Sequence, residues 1–286
     1  MKTHKLLIIL IAFFLFLIIL SAFFLNACGD NKIAASSTMG RSATGKIKSK
    51  QLNELSGIVP AKGREEYWGH NDKGNDEEIF RFNSKGKILQ EVELKGVKND
   101  DWEGMTIDSN RNLYIADTGD KELRRKSYRI YQFTEPKTST KKIKKINSYK
   151  FNYADGKPHN CEAIFAMNDR LYIITKEQEE KQKIFCIDKL KKKQTISARE
   201  VGRLDISGQV TDVAYSSKHK QLAVLTDKKI AFYHVAKESD LFRPPVHFTH
   251  IRFDRCEALC YDENHLVVTN ESGDIWRYPL EFFLKK

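Results

Sequence analysis

Short runs of alternating apolar and polar residues recur along most of the chain. The second of these runs is the most regular, and it predicts strands at 103–108, 113–117 and 128–133 and a fourth strand within 146–153. Alternation with a period of two is typical of strands that pack in a sheet. Tight turns such as the one at 109–112 separate the strands. The pattern therefore predicts a four-stranded unit.

This unit returns five times. The copies begin at Leu55, Trp102, Cys161, Gln209 and Cys256. Repeats of several short strands at intervals of roughly 45–60 residues indicate radial β architecture. We therefore predict an all-β chain that forms a β-propeller of five blades. A sixth blade, within the longer interval between the second and third copies, is the alternative.

The two ends of the predicted propeller complement each other. The fifth copy has three strands and then the sequence ends, so its outermost strand is missing. At the other end, residues 45–52 alternate like a strand but have no partner in the first copy. We expect this N-terminal strand to pair in the last blade, because that pairing leaves no open sheet edge between the first and last blades.

The first residues are typical of an exported protein. Lysines at the start precede an apolar run that continues to Leu25, so 1–27 is predicted to be a signal peptide or an uncleaved signal anchor. Residues 25–28, Leu-Asn-Ala-Cys, resemble the lipobox of bacterial lipoproteins, which makes Cys28 the predicted lipidation site. Residues 28–44 are small and polar, as in a flexible tether, and 45–286 form the propeller domain.

Either N-terminal alternative places the propeller in the cell envelope, membrane-anchored and facing the periplasm or the exterior. The net charge of +11 would suggest nucleic acid for a cytosolic protein. For an exported protein, anionic lipid or a cell-wall polymer is the more reasonable target, and no nucleic-acid partner is expected. Five cysteines show no zinc-site spacing, and those after Cys28 are read as small buried hydrophobes.

A ring of polar residues is predicted at the central channel. Glu103, Glu162 and Glu257 stand at the start of the inner strands of three copies, where the other two copies have Ser56 and Thr211. Carboxylates that share a narrow channel repel one another unless a cation, protonation or a cationic side chain is present. Together with Asp101, the three glutamates are predicted metal ligands, and hard oxygen ligands favour Ca²⁺. The alternative is a structural latch in which each glutamate accepts hydrogen bonds from the backbone of the next blade.

A second polar ring is predicted where the second strand of each copy ends. Its candidate binding residues are Asn71, Asp72, Asp117, Asp120, Glu177, Asp227, Asn270 and Glu271. Because strands alternate in direction, the loops that carry both rings lie on the same face of the disc. Short Asp, Asn and Gly runs can wrap a cation, but they also form ordinary turns.

Several segments follow one another in an order that resembles a known family. The segments are HNDKGN, NDDWEGMTID, LYIADTGD, YRIYQFTEP and HNCEAIF, within residues 52–190. They resemble secreted bacterial propellers of poorly known function, the SdiA-regulated domain proteins, and more distantly phytase-like and esterase-like propellers. The resemblance implies a calcium-associated propeller with Glu103, Glu162 and Glu257 at channel positions.

Two functions remain open at this point. The first is a membrane-tethered binding module with a Ca²⁺-supported site for a protein or glycan. The second is a metal-dependent hydrolase of phosphate esters, carboxylic esters or lactones. The sequence contains no GxSxG, HExxH or phosphate-loop motif, and no nucleophile with a recognisable neighbour. No catalytic residue is therefore predicted, and the binding module is favoured over an enzyme.

Overall fold

A computed structural model describes residues 35–40, 42–177, 181–204, 206–252 and 255–284. The predicted signal segment and Cys28 lie outside this range. The strands are β1 (Ala35–Met39), β2 (Gly45–Lys46), β3 (Leu55–Pro60), β4 (Glu66–Asn71), β5 (Glu78–Asn83), β6 (Ile88–Leu94), β7 (Trp102–Ile107), β8 (Asn112–Asp117), β9 (Tyr128–Thr134), β10 (Lys142–Ile143), β11 (Asn147–Tyr153), β12 (Cys161–Met167), β13 (Arg170–Thr175), β14 (Gln182–Ile187), β15 (Ile196–Leu204), β16 (Val210–Ser216), β17 (Gln221–Thr226), β18 (Lys229–His234), β19 (His247–Ile251), β20 (Cys256–Asp262), β21 (His265–Asn270) and β22 (Asp274–Pro279). A 3-10 helix (Glu238–Phe242) and a short α-helix, α1 (Leu280–Leu284), complete the described elements.

Most of these strands group into units of four neighbours. Unit 1 is β3–β4–β5–β6, unit 2 is β7–β8–β9–β11, unit 3 is β12–β13–β14–β15, unit 4 is β16–β17–β18–β19 and unit 5 is β20–β21–β22–β2. Within each unit, neighbouring strands are antiparallel, as short connecting turns require. The units coincide with the copies read from the sequence.

The first strands of the units form a closed circle. β3 contacts β7, β7 contacts β12, β12 contacts β16, β16 contacts β20, and β20 returns to β3. Sheets arranged radially around such a circle are a β-propeller. The predicted all-β propeller fold is therefore confirmed. The longer interval between the second and third copies contains β9, β10 and β11, and β10 pairs with the outer strand of unit 1.

Apolar contacts between adjacent units make up the core. Each of the five buried clusters in the described residues combines side chains of two neighbouring units, including units 5 and 1. Between units 3 and 4, for example, Phe165 and Tyr172 pack with Leu222 and Tyr233. Both faces of each unit are covered in this way. Strands such as β13 and β17 are consequently buried along nearly their whole length.

The N-terminal strand closes the ring as predicted. β2 pairs with β22 in unit 5, with Gly45 opposite Ile275 and Lys46 opposite Asp274. Backbone hydrogen bonds from Thr44 N–H to Ile275 O (2.7 Å) and from Ile47 N–H to Gly273 O (2.8 Å) extend the contact. The strand is shorter than the predicted 45–52, because the chain then turns to bury Ile47 and Leu52 between units 5 and 1.

Three strand pairings have no counterpart in the sequence pattern. β1 lies parallel to β19, so that part of the stretch predicted to be a tether, 28–44, adds a fifth strand to unit 4. β10 lies parallel to β6 in the same way on unit 1. β11 and β15 pair in parallel, which joins units 2 and 3 at their outer edges. Pairing between edge strands depends on which sheet edges lie next to each other in the folded molecule. Alternation of apolar and polar residues along the chain does not predict these pairings.

Candidate functional site

A cavity of about 660 Å³ opens on the face that carries the predicted polar rings. Its lining residues come from the first residues of the inner strands, from the loops before those strands and from the loops after the second strands. They are Glu54, Leu55, Ser56, Asp72, Lys73, Asp101, Glu103, Lys121, Leu123, Asn160, Glu162, Lys176, Glu177, Gln209, Glu257 and Glu271. The predicted metal ligands Asp101, Glu103, Glu162 and Glu257 all lie at this central cavity.

A shift in strand register explains why these residues reach the channel. In every unit, the pairing between the first and second strands shifts next to the second residue of the first strand. The residues at that point are Ser56, Glu103, Glu162, Thr211 and Glu257. An extra residue in one strand re-aims side chains out of the regular alternation. The polar ring is therefore a consequence of the same irregularity repeated in each unit.

Hydroxyl groups, rather than the glutamates, connect neighbouring units at this level. Ser56 Oγ donates to Glu103 O (3.3 Å), and Thr211 Oγ1 donates to Cys256 O (2.9 Å). Thr118 at the end of β8 makes the equivalent bond to Cys161 O (2.8 Å). No backbone N–H of a neighbouring unit donates to Glu103, Glu162 or Glu257 within the described ranges. The latch that the sequence left as an alternative is thus built from hydroxyls there.

Three carboxylates converge on one side of the cavity. Ligand oxygens of Asp72, Asp101 and Glu103 all lie within 4.8 Å of one another. Asp72 belongs to the β4–β5 loop, Asp101 to the loop before β7, and Glu103 to β7 itself. Of the predicted metal ligands, Asp101 and Glu103 belong to this cluster. Asp72, which was predicted to be in the binding ring, completes it in place of Glu162 and Glu257.

Burial and mutual repulsion disfavour the charged forms of these groups. Burial raises the pKa of Asp72, and the neighbouring Asp101 raises it further. Burial likewise raises the pKa of Asp101, against the opposing effect of Lys73. Glu103 is 7% exposed, and burial together with the Glu162 carboxylate raises its pKa well above the usual range. The protein surroundings therefore do not compensate three charged carboxylates here, and the cluster favours either a bound cation or protonation.

Two lysines compensate part of the negative charge. Lys73 Nζ lies 3.4 Å from Asp101 Oδ2. Lys176, at the end of β13, lies 3.1 Å from Glu162 Oε2. Burial by itself would lower the pKa of Lys176, but the Glu162 and Glu257 carboxylates outweigh burial and raise it. Lys176 thus provides a permanent cation for the Glu162 and Glu257 side of the cavity.

The Asp72, Asp101 and Glu103 side is suited to a metal ion. Asp101 is 9% exposed, and its Oδ1 atom is buried without a hydrogen-bond partner in the described structure. A buried oxygen without a donor is costly unless a ligand satisfies it. Carboxylate oxygens are hard ligands of the kind that Ca²⁺ prefers. This donor set therefore fits the predicted ion better than Glu162 does, because both Glu162 oxygens have partners, Lys176 and the Asn160 amide, whereas Asp101 Oδ1 has none in the described structure.

The predicted second ring divides into two groups. Asp72, Glu177 and Glu271 line the cavity. The others, Asn71, Asp117, Asp120, Asp227 and Asn270, are outside its lining. Their side chains bind loops instead, as turn-forming Asp and Asn residues commonly do. Sequence spacing placed both groups at the same strand ends and did not distinguish them.

The loop-binding role is clearest for Asn71 and Asp120. Asn71 Oδ1 accepts the backbone N–H groups of Asn53 (3.2 Å) and Glu54 (3.1 Å). Asp120 accepts the N–H groups of Arg124 and Arg125, both at 2.9 Å, and the hydroxyl of Tyr128. These bonds leave little capacity for an external ligand.

The remaining three residues also bond to loops, either a neighbouring loop or their own. Asp117 accepts the N–H of Asp101 (3.1 Å) and pairs with Arg125 (2.9 Å). Asp227 accepts the N–H of Gln209, and Asn270 accepts that of Asp274. The cavity-lining loops are held in place by these contacts.

Sequence reasoning did not single out Lys73 and Lys176 as cavity residues with a function. Both directly neighbour predicted ring positions, Asp72 and Glu177. Lysine at the end of the second strand, opposite a glutamate on the first strand of the same unit, was the signal available for Lys176.

Comparisons with known proteins bear on the fold alone. No protein-family model and no curated protein matches the sequence, so the resemblance to SdiA-regulated proteins stays a prediction. The chain is similar to the structure of a nidogen–laminin complex, with 12% identity, coverage of 81% of this chain and 78% of that chain, and a TM-score of 0.46. It is also similar to the PQQ-bound aldose sugar dehydrogenase of Streptomyces coelicolor, with 15% identity, coverage of 86% and 82%, and a TM-score of 0.45. Similarities at this level carry no argument about a ligand or an activity.

Proposed function

We propose that this protein is a membrane-tethered, extracytoplasmic β-propeller that acts as a binding module. Its central cavity holds a Ca²⁺ ion that supports a site for an external ligand. The observation that carries the proposal is the cluster of Asp72, Asp101 and Glu103, whose oxygens lie within 4.8 Å of one another. Three carboxylates this close repel one another strongly where solvent screening is weak, and a divalent cation removes that cost.

Calorimetric titration of Ca²⁺ into the full chain in mild detergent tests the ion. We expect Asp101→Asn to weaken Ca²⁺ binding by about tenfold or more, because it removes a charged ligand. Glu122→Gln is the matched control, since Glu122 is an exposed carboxylate on the β8–β9 loop, outside the cavity lining. Equal Ca²⁺ affinity in the wild type and Asp101→Asn would contradict the ion site.

The proposed location depends on the N-terminal residues. The apolar run and the lipobox-like Leu25-Asn26-Ala27-Cys28 support membrane attachment. No helix in the described part of the chain is long and apolar enough to cross a bilayer. Labelling of bacterial cells with a tagged fatty acid should mark the wild type and not Cys28→Ala. A membrane-bound, unlabelled wild type would instead indicate the uncleaved anchor.

One observation favours the hydrolase alternative. Burial, opposed by Lys176 and assisted by Glu162, raises the pKa of Glu257 to about 7. A carboxyl group that titrates near neutral pH is suited to proton transfer. A panel of phosphate ester, carboxylic ester and lactone substrates should reveal turnover that Glu257→Gln abolishes, if this alternative is correct. Absence of turnover across the panel, with Ca²⁺ bound, leaves the binding module.

A further inference from the structure

The central cavity concentrates negative charge in a basic protein. It is lined by eight carboxylates and three lysines, whereas the whole chain has a net charge of +11. Asp101 Oδ1 is buried without a hydrogen-bond partner in the part of the chain that the structure describes, and the neighbouring Glu103 is nearly buried. The cavity therefore attracts cationic groups and repels anionic polymers.

An apolar side chain stands at the mouth of this cavity. Leu123, on the β8–β9 loop, lines the cavity and is 50% exposed. Its φ of 52° lies in the left-handed region, which is unfavourable for a leucine. Single exposed apolar residues are ordinary, but an exposed one in a strained backbone conformation is not.

The surrounding loop holds Leu123 in that conformation. The Leu123 N–H donates to Asp120 O (2.8 Å), and the Asp120 carboxylate accepts the next two backbone N–H groups. Arg125 fixes the base of the loop, through Gly119 O (2.9 Å) and Asp117 Oδ1 (2.9 Å). These contacts restrain the loop, and it presents an apolar side chain next to a negatively charged cavity.

We propose that the ligand of this binding module is a polypeptide that inserts an arginine or lysine side chain into the cavity and packs an apolar residue on Leu123. The inference deepens the proposed binding function and names its ligand class. Arginine is enriched among the residues that dominate protein interfaces, where surrounding contacts exclude water from its pocket, and Leu123 is placed to make such a contact. Guanidinium groups bind carboxylates through charge-assisted hydrogen bonds, and the cavity lining carries Glu177, Glu257 and Glu271 in addition to the three carboxylates of the proposed ion cluster.

The test uses a blocked tripeptide, acetyl-Ala-Arg-Leu-amide, and its citrulline counterpart, which has the same shape without the charge. Titrations into the full chain are followed by calorimetry, once with saturating Ca²⁺ and once with a chelator. We expect the arginine peptide to bind about tenfold or more tightly than the citrulline peptide. Equal binding of the two, or no binding at millimolar concentration, overturns the inference.

Leu123→Asn tests the rim contact without endangering the fold. Asparagine tolerates the left-handed conformation, so thermal stability should be unchanged or higher, while binding of the arginine peptide weakens about fivefold. Val246→Asn is the matched control, because Val246 is 55% exposed and outside the cavity lining. Unchanged peptide affinity in Leu123→Asn contradicts the role of Leu123.

The two proposals fail separately. If the arginine peptide binds while Ca²⁺ does not, the ion is wrong and the ligand class stands. If Ca²⁺ binds but neither peptide does, the ion site stands and the ligand class is wrong. Tighter binding of spermidine than of the arginine peptide would point to a small polyamine and overturn the polypeptide ligand.

Discussion

At the scale of single residues, the side chain at the second position of each inner strand determines whether that position joins neighbouring units or presents a carboxylate to the cavity. Ser56 and Thr211 use their hydroxyls to bridge to the next unit, through Glu103 O and Cys256 O. The glutamates at the same position are too long and too charged to do so, and they face the cavity instead. Hydroxyl residues at this position in some copies therefore hold neighbouring units together, while the glutamates at the same position in the other copies are available to bind a ligand.

A buried histidine close to this ring predicts acid sensitivity. Burial lowers the pKa of His70 to about 4, and its Nε2 atom has no hydrogen-bond partner in the described residues. The unfolded histidine titrates near 6.5, so the unfolded state binds the proton first as the pH falls. Stability is therefore full above about pH 6.5 and declines towards pH 4, by up to roughly 3 kcal/mol in total.

Urea denaturation of the wild type and His70→Gln between these pH values checks this prediction. The free energy of unfolding of His70→Gln should fall less than that of the wild type between these pH values, whatever the stability of the variant at neutral pH. His234→Gln, at an exposed position, is the control and should keep the wild-type slope. Parallel curves for the wild type and His70→Gln would exclude the buried imidazole as the cause.

At the scale of elements, irregularities in strands and turns build the features that matter. The repeated register shift in the inner strands aims Glu103, Glu162 and Glu257 at one channel. The turn between β5 and β6 is a second irregular feature with a structural role, because it contacts the N-terminal strand β2. Lys46 N–H donates to Lys85 O in that turn (3.4 Å).

Gly86 in this turn should be sensitive to substitution. It has a φ of 85°, and a Cβ atom there would collide with the backbone of Lys46 and Ile47. Gly86→Ala should cost on the order of 2–4 kcal/mol of unfolding free energy, through strain and displacement of β2. Gly96 is a matched control, since its φ is 78° and nothing lies within 4 Å of the added atom. Gly96→Ala should cost about 1 kcal/mol, and equal losses in denaturant titrations would contradict the contact with β2.

At the scale of the whole molecule, closure of the ring joins distant parts of the sequence. β2 completes unit 5, while Ile47 and Leu52 pack in the cluster between units 5 and 1. An unpaired β22 would expose an edge strand, and open edges favour association with other chains. Closure therefore protects the molecule as well as stabilising it.

A series of N-terminal truncations tests both effects of closure, the stabilisation of the fold and the protection of the β22 edge from association. Removal of residues 1–43 takes away β1 but leaves β2, and removal of residues 1–47 takes away both. We expect the second truncation to lower the Tm further and to promote self-association, because it alone opens the edge of β22 and removes Ile47 from the cluster between units 5 and 1. Thermal melts and light scattering measure the two effects. Identical behaviour of the two truncations would show that β2 does not close the ring.

The sequence by itself determined the architecture, because alternation, turns and repetition are local signals. The copies beginning at Trp102 and Cys161 and the unpaired segment at 45–52 were sufficient to predict units 2 and 3 and the closure of unit 5. Repetition also indicated which loops share a face, and the cavity formed by Glu103, Glu162 and Glu257 agrees with it.

Only the tertiary structure decided which side chains meet. Asp72 of unit 1 meets Asp101 and Glu103 of unit 2, and Lys176 pairs with Glu162 inside unit 3. Both results depend on distances of a few ångströms. The parallel pairing of β1 with β19 is likewise set by contacts between segments far apart in the chain. Local patterns encode the direction and burial of a strand, whereas charge pairing is decided by the packing of the assembled ring.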